Sequence, residues 1–158
     1  MKNTFKRSGA ALISLMLLLV LAVSAGAASS QNVGVKFWKE RSDKESMANS
    51  GIDPDRTATL TRQANGTYTL TLPVMQVSKL GVTGYLSGLT IGDVTYDGTL
   101  TGDFNKATAV LTIKNLPASV LTGSDVNKSV LVTCNIQMDL QVLGEINTSA
   151  RMCIWNQK

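Results

Sequence analysis

The stretch VLVTCNIQMDLQVL, residues 130–143, decides the fold because its apolar side chains occupy every second position. Alternation with a period of two is typical of a strand that has one face in a core and the other in water. The apolar face consists of Val130, Val132, Cys134, Ile136, Met138, Leu140 and Val142. Residues 144–147 then offer a turn, and the apolar stretch 150–155 predicts a return strand. The chain is therefore predicted to close with a β-hairpin.

Other short alternating stretches predict more strands of the same kind. Residues 33–39 place Val33, Val35 and Phe37 on one face, and Asn65-Gly66 predicts a tight hairpin before the alternating strand 67–72. The polar stretch at residues 40–55 can form at most a turn or two of helix. With roughly seven or eight short strands and no long helix, we predict an all-β, immunoglobulin-like antiparallel β-sandwich over residues 33–156.

The first 27 residues have the pattern of a secretory signal peptide. Lys2, Lys6 and Arg7 precede an apolar run over about residues 10–23, and a small-residue cleavage site follows at Ala25-Gly26-Ala27. We expect cleavage after Ala27, a short linker at residues 28–32, and a secreted or cell-surface protein with no membrane span in the mature chain. The alternative is an uncleaved N-terminal anchor.

The charge balance and the missing histidines exclude several function classes. Three of the 15 Lys and Arg residues lie in the leader, which leaves 12 against 11 Asp and Glu, or a mature net charge of about +1. This near-balance argues against nucleic acid or an anionic membrane as a partner. The chain has no His, so a zinc site or a Cys-His nucleophile would have no second partner. We expect a protein that is not an enzyme.

The two cysteines, Cys134 and Cys153, lie on the two arms of the predicted closing hairpin. An even cysteine count in an exported chain favours a disulfide, and a bulge in the hairpin would bring the two sulfurs within bonding reach. Two buried free thiols are the alternative.

Three stretches together resemble a NEAT (near iron transporter) domain of exported Gram-positive proteins. They are VKFWKERSDKESMANSGIDPDRTATLTRQANGTYTLTL at residues 35–72, MQVSKLGVTGYLSGL at 75–89 and VLGEINTSARMCIW at 142–155. The resemblance covers nearly all of residues 33–156. It implies an immunoglobulin-like sandwich and, in many members, a haem held between a Ser-Met turn and the last hairpin. The Tyr pair that usually ligates the haem iron on the final strand is missing, because no Tyr follows Tyr96.

The resemblance makes methionines the candidate haem ligands, since a thioether sulfur is a competent axial ligand. Met47 on the Ser-Met turn and Met138 on the closing strand would face each other across the slot, and Ser46 would hydrogen-bond a propionate. Met75 would line the same slot or fill one end of the sandwich. Met138 also lies within the apolar stripe, so an ordinary core role is its alternative, and Met47 has the alternative of a loop side chain.

The predicted function is haem binding or haem relay for iron acquisition, with haem or a haemoprotein donor as partner. The alternative is a non-catalytic surface module of the same fold that binds a cell-surface protein and no haem.

Overall fold

The computed structural model describes residues 28–79, 81–139 and 144–158, and these form an all-β chain. The strands are β1 (Ser29–Lys39), β2 (Ala58–Arg62), β3 (Tyr68–Pro73), β4 (Val77–Lys79), β5 (Val82–Ile91), β6 (Val94–Thr101), β7 (Val110–Leu116), β8 (Val130–Met138) and β9 (Glu145–Asn156). The helical elements of the described residues are four 3-10 turns, Met47–Gly51, Phe104–Lys106, Ala118–Val120 and Val126–Lys128. None of the described helices is long and apolar enough to cross a membrane. The predicted leader and cleavage site lie outside the described residues.

All of these strands join one antiparallel sheet that closes on itself. The strand order is β4-β5-β6-β7-β3-β2-β1-β9-β8, and β8 pairs back to β5. Eight strands therefore form a barrel, with β4 attached to β5 beside β6. The all-β antiparallel prediction is confirmed, but the two separate sheets of the expected immunoglobulin-like sandwich are here one continuous hydrogen-bonded ladder.

Strand β5 makes the closure possible. It pairs with β4 and β6 along one edge and with β8 along the other. The β5–β8 register shifts between Leu86 and Gly88, and such a bulge bends a strand and increases its twist. A sheet must bend in this way before its first and last strands can meet.

The core lies inside the barrel and is built from the alternating positions. The buried side chains include two from each of three strands, namely Val33 and Phe37 on β1, Leu70 and Leu72 on β3, and Val132 and Cys134 on β8. These are the faces that the sequence pattern predicts, so the strand assignments of these stretches are confirmed. The short helical turn at 47–51 and the hairpin at Asn65-Gly66 are also present.

The closing hairpin begins its return earlier than predicted. β8 ends at Met138, and β9 already begins at Glu145, where Gln137 pairs with Glu145 and Ile136 with Ile146. The predicted turn at 144–147 is therefore wrong for residues 145–147, which occupy exposed strand positions. Leu140 and Val142 of the predicted apolar face lie outside the described residues.

The predicted Cys134–Cys153 disulfide is wrong, because both cysteines are free and buried. Cys134 pairs with Thr148, which lies five residues before Cys153 on β9. Five residues along a strand span about 16 Å, and an odd separation places the two side chains on opposite faces of the sheet. The Cys153 sulfur instead contacts the carbonyl oxygen of Asp125, at 3.6 Å.

Candidate functional site

One end of the barrel holds an apolar cavity of about 300 Å³ between the 47–51 turn, strand β5 and the closing hairpin. Its lining residues are Met47, Ala48, Gly51, Val77, Val82, Gly84, Tyr85, Leu86, Ile136, Met138, Ile146 and Thr148. Only Tyr85 and Thr148 among them carry a side-chain oxygen, and none carries a charge. A lining of this kind suits a flat apolar ligand whose polar groups remain outside.

The 47–51 turn forms one side of the cavity and is attached firmly to β1. Ser46 caps the turn, since its hydroxyl oxygen accepts a hydrogen bond from the Ala48 N–H at 3.3 Å. The Asn49 side chain behaves like a strand partner for Phe37: its Oδ1 accepts from the Phe37 N–H at 2.8 Å, and its Nδ2 donates to the Phe37 carbonyl at 2.6 Å. The Ser46 N–H also donates to that carbonyl, at 2.9 Å. Met47 therefore projects from a fixed backbone.

The loop that leads from β1 into this turn is held by Arg151 on β9. The guanidinium donates to the carbonyls of Lys39 and Ser42, at 3.1 and 2.9 Å, and pairs with the Asp43 carboxylate at 2.7 Å. This cation is half-buried and engaged with the loop, so its contribution is to position the turn rather than to meet a ligand directly.

The closing hairpin forms the opposite side. Ile136 and Ile146 are paired across β8 and β9, and Thr148 follows Ile146 on the same face. The backbone of Met138 is held on two sides: its N–H donates to the Gly144 carbonyl at 3.0 Å, and the next N–H, of Asp139, donates to the Thr83 carbonyl at 2.9 Å. Residues 140–143, beyond this point, lie outside the described residues.

Strand β5 forms the floor. Val82, Gly84 and Leu86 share the face that points to the cavity, and Gly84 pairs directly with Met138. Tyr85 borders the cavity from an alternate position, and its ring packs against Phe104 with 5.2 Å between the ring centroids. Tyr85 was not predicted as a site residue, because it lies on β5 and the phenols expected from the resemblance lie elsewhere in the chain.

The structure brings Met47 and Met138 to the same cavity, one from the turn and one from the hairpin. The Met47 side chain is 58% exposed at the mouth, and Met138 is half-buried. Ser46 lies next to Met47 with its hydroxyl used as the cap. Met75 is not among the lining residues: its side chain is 42% exposed, and its N–H donates to the Gly51 carbonyl at 3.0 Å.

Within the described residues, no three His, Cys, Asp or Glu side chains come together as a metal site. Cys134 lies in the core next to this end of the barrel, and burial raises the pKa of its thiol from 9.0 to about 12. The thiol is therefore protonated at neutral pH and is not a nucleophile.

No family model matches the sequence, and no curated protein matches it. Among solved structures, the chain is similar to the NEAT5 domain of IsdX2, a B. anthracis hemophore, in complex with haem. The TM-score is 0.53 at 10% identity, with 83% of this chain and 98% of that chain covered. A mutant of the same NEAT5 domain in complex with haem gives the same values. At this identity the likeness is one of fold, and it agrees with the resemblance seen in the sequence. This protein has a NEAT-like fold.

Proposed function

We propose that this chain is an exported, non-enzymatic module that binds haem and passes it on during iron acquisition. The observation that carries the proposal is the apolar cavity, which a NEAT-like barrel opens between a Ser-Met turn and its closing hairpin, with a methionine on each side. The likeness to haem-bound NEAT5 structures supports it.

The residues of the cavity fit a haem. A porphyrin presents two large apolar faces, and the aliphatic side chains of Val82, Ile136 and Ile146 offer the matching surface. The propionates are charged and would be costly to bury in such a lining, so they belong outside the cavity mouth. Ser46 is next to that mouth, and its hydroxyl can donate to a carboxylate while its oxygen continues to cap the turn.

Met47 and Met138 are the residues that would hold the haem iron through their thioether sulfurs. Haem is cargo in this proposal, and it supplies the iron that the two thioethers would bind. A thioether is neutral and soft, so it favours ferrous over ferric iron and raises the reduction potential. The phenol of Tyr85 is the competing ligand at this end of the barrel, and a phenolate would favour ferric iron instead.

The test is a haemin titration of the mature domain, residues 28–158, followed by absorbance in the Soret region. We expect saturable binding at micromolar protein, a low-spin spectrum and a raised reduction potential. Met47→Ala and Met138→Ala should each change the spectrum. Met75→Ala is the matched control, since Met75 lies beside the turn but outside the cavity lining.

Two results would contradict the proposal. A spectrum that changes with Tyr85→Phe but not with either methionine variant would reassign the iron ligand. No saturable Soret band would remove haem altogether and would leave the surface-module alternative, which predicts a protein partner that is recovered by pull-down.

A further inference from the structure

Gly84 meets Met138 across the β5–β8 pair, and the contact depends on the missing side chain of Gly84. A Cβ atom at Gly84 would lie 2.8 Å from the Met138 Sδ, 3.0 Å from the Gln137 carbonyl oxygen and 3.3 Å from the Ile136 Cγ2. Carbon and sulfur atoms that are not bonded do not approach to 2.8 Å. The sulfur of Met138 therefore occupies the space that any other residue at position 84 would fill.

The glycine is not required by the backbone at this position. Gly84 is absent from the described glycines with positive φ, and its pairing with Val77 on β4 and Met138 on β8 is regular strand. A residue with a side chain could adopt the same conformation. What Gly84 provides is space at the cavity floor.

The Met138 backbone cannot move to make room for a new side chain. Its N–H is bonded to the Gly144 carbonyl, and the N–H of Asp139 is bonded to Thr83 beside Gly84. The thioether, in contrast, has several rotatable bonds and adapts easily. A methyl group at position 84 would thus move mainly the sulfur, while the Gln137 carbonyl oxygen, at 3.0 Å, would have to shift by only a few tenths of an ångström.

We infer that Gly84 is a positioning residue for the haem ligand Met138: by lacking a side chain, it holds open the place from which the sulfur faces the cavity. This inference rests on the proposed function. The position of the Met138 sulfur would then depend on a residue of β5, a strand that contributes neither of the two methionines.

The test is a double-mutant cycle on the mature domain with haemin as the probe. Gly84→Ala should shift the Soret maximum and weaken haemin binding by about tenfold, which is about 1.4 kcal/mol. In a Met138→Ala background the same substitution should change the affinity by less than about twofold, because the partner of the interaction is gone. Thr83→Ala, on the opposite face of β5 and outside the cavity lining, is the control for general loosening of the strand and should leave the spectrum unchanged.

A measurement without haem keeps the two proposals separable. In the ligand-free protein, the ¹³C-labelled ε-methyl signal of Met138 should move in Gly84→Ala, while those of Met75 and Met152 stay in place. An unchanged Met138 signal, or an effect of Gly84→Ala that is the same with and without Met138, would overturn the inference and leave haem binding intact. No haemin binding by the unmodified protein would overturn the proposed function, and with it the inferred role of Gly84 in positioning a haem ligand.

The single variant could also fail to fold. The inference then predicts that Met138→Ala restores folding to Gly84→Ala, since the clash is with the sulfur. A double variant that remains unfolded would place the clash on the Gln137 carbonyl and would overturn the inference.

Discussion

At the residue scale, Asn49 attaches the Met47 turn to β1 through its side chain. Its side chain replaces a strand partner at the end of β1 by accepting from one backbone group of Phe37 and donating to the other. A carboxamide is the side chain that offers a donor and an acceptor in the same plane, as a peptide group does. The turn is thereby fixed to the barrel without being part of the sheet.

Asn49→Ala should lower the free energy of unfolding by about 1–3 kcal/mol, because it leaves the partly buried N–H of Phe37 without its partner, whereas the Phe37 carbonyl keeps its hydrogen bond from the Ser46 N–H. It should also weaken haemin binding, since Met47 loses its fixed backbone. Urea unfolding measures the first effect and a haemin titration the second. Asn32→Ala, at an exposed position of β1, is the control and should stay within about 0.5 kcal/mol. A similar loss in both variants would contradict this role.

Cys134 predicts a pH dependence of stability. Burial raises the pKa of its thiol to about 12, whereas the unfolded chain releases this proton near 9.0. Between these values the unfolded state binds fewer protons than the native state. The stability that the protonated Cys134 thiol contributes is therefore complete below pH 9 and is lost as the pH rises to 12. The slope approaches about 1.4 kcal/mol per pH unit.

The measurement is urea unfolding of the unmodified protein and of Cys134→Ala over pH 8–12. Because Lys and Tyr also titrate in this range, the difference between the two proteins is the informative quantity. The unmodified protein should lose stability relative to the variant above pH 9. Parallel curves would show that the thiol is not buried in this way.

At the scale of elements, β5 contributes both to the closure of the sheet and to the cavity floor. Its two inner glycines meet different neighbours. A Cβ at Gly84 would meet the movable Met138 sulfur most closely, at 2.8 Å, and one backbone atom, the Gln137 carbonyl oxygen, at 3.0 Å. A Cβ at Gly88 would instead lie 2.7 Å from the Tyr96 carbonyl oxygen and 3.3 Å from the Asp97 Cα. These are backbone atoms of β6, which is held in the sheet on both sides.

Gly88→Ala should therefore cost more stability than Gly84→Ala. We expect a loss of about 1–3 kcal/mol from overpacking at position 88, because β6 has to shift. Thermal unfolding of the two ligand-free variants measures the difference. An equal loss in both, or a larger one in Gly84→Ala, would contradict the distinction between fixed and flexible neighbours.

The local sequence pattern predicted the strands better than it predicted which strands pair with each other. Alternation identified β1, β3 and β8, because each has one face in the core, and Asn65-Gly66 identified the β2–β3 hairpin from turn chemistry alone. It could not predict that β5 pairs with β8, since that contact joins residues about fifty positions apart and has no local signal.

For the cavity, the sequence places Met47 and Met138 on opposite sides of one slot, and both residues lie in the cavity lining. Their role as haem ligands stays a prediction. The disulfide prediction failed because the register of the hairpin was unknown. Residues 144–147 resemble a turn, but residues 145–147 extend β9 and shift Cys153 away from Cys134. Tyr85 and Val82 were missed because β5 reaches the cavity only through the closure of the sheet.

At the scale of the whole molecule, the sequence predicts export. Residues 1–27 have the charged start, apolar run and small-residue site of a signal peptide, and β1 begins directly after them at Ser29. N-terminal sequencing of protein from the culture supernatant should give Ala28, or a residue on either side of it, as the first residue. A full-length species that stays with the membrane would instead identify the segment as an anchor.

The pairing of β1 with β9 has a mechanical consequence. Val33 lies opposite Asn156 in the antiparallel β1–β9 pair. The beginning of β1 and the end of β9 therefore lie at the same end of the barrel. The cavity residue Thr148 is eight positions back along β9, or about 26 Å away. A force that pulls the two ends apart would break the hydrogen bonds of the β1–β9 pair one after another, starting at this end, and would not load all of them at once in shear. A tether at either end would leave the cavity mouth uncovered, but tension between both ends would separate β1, and with it the Met47 turn, from the closing hairpin.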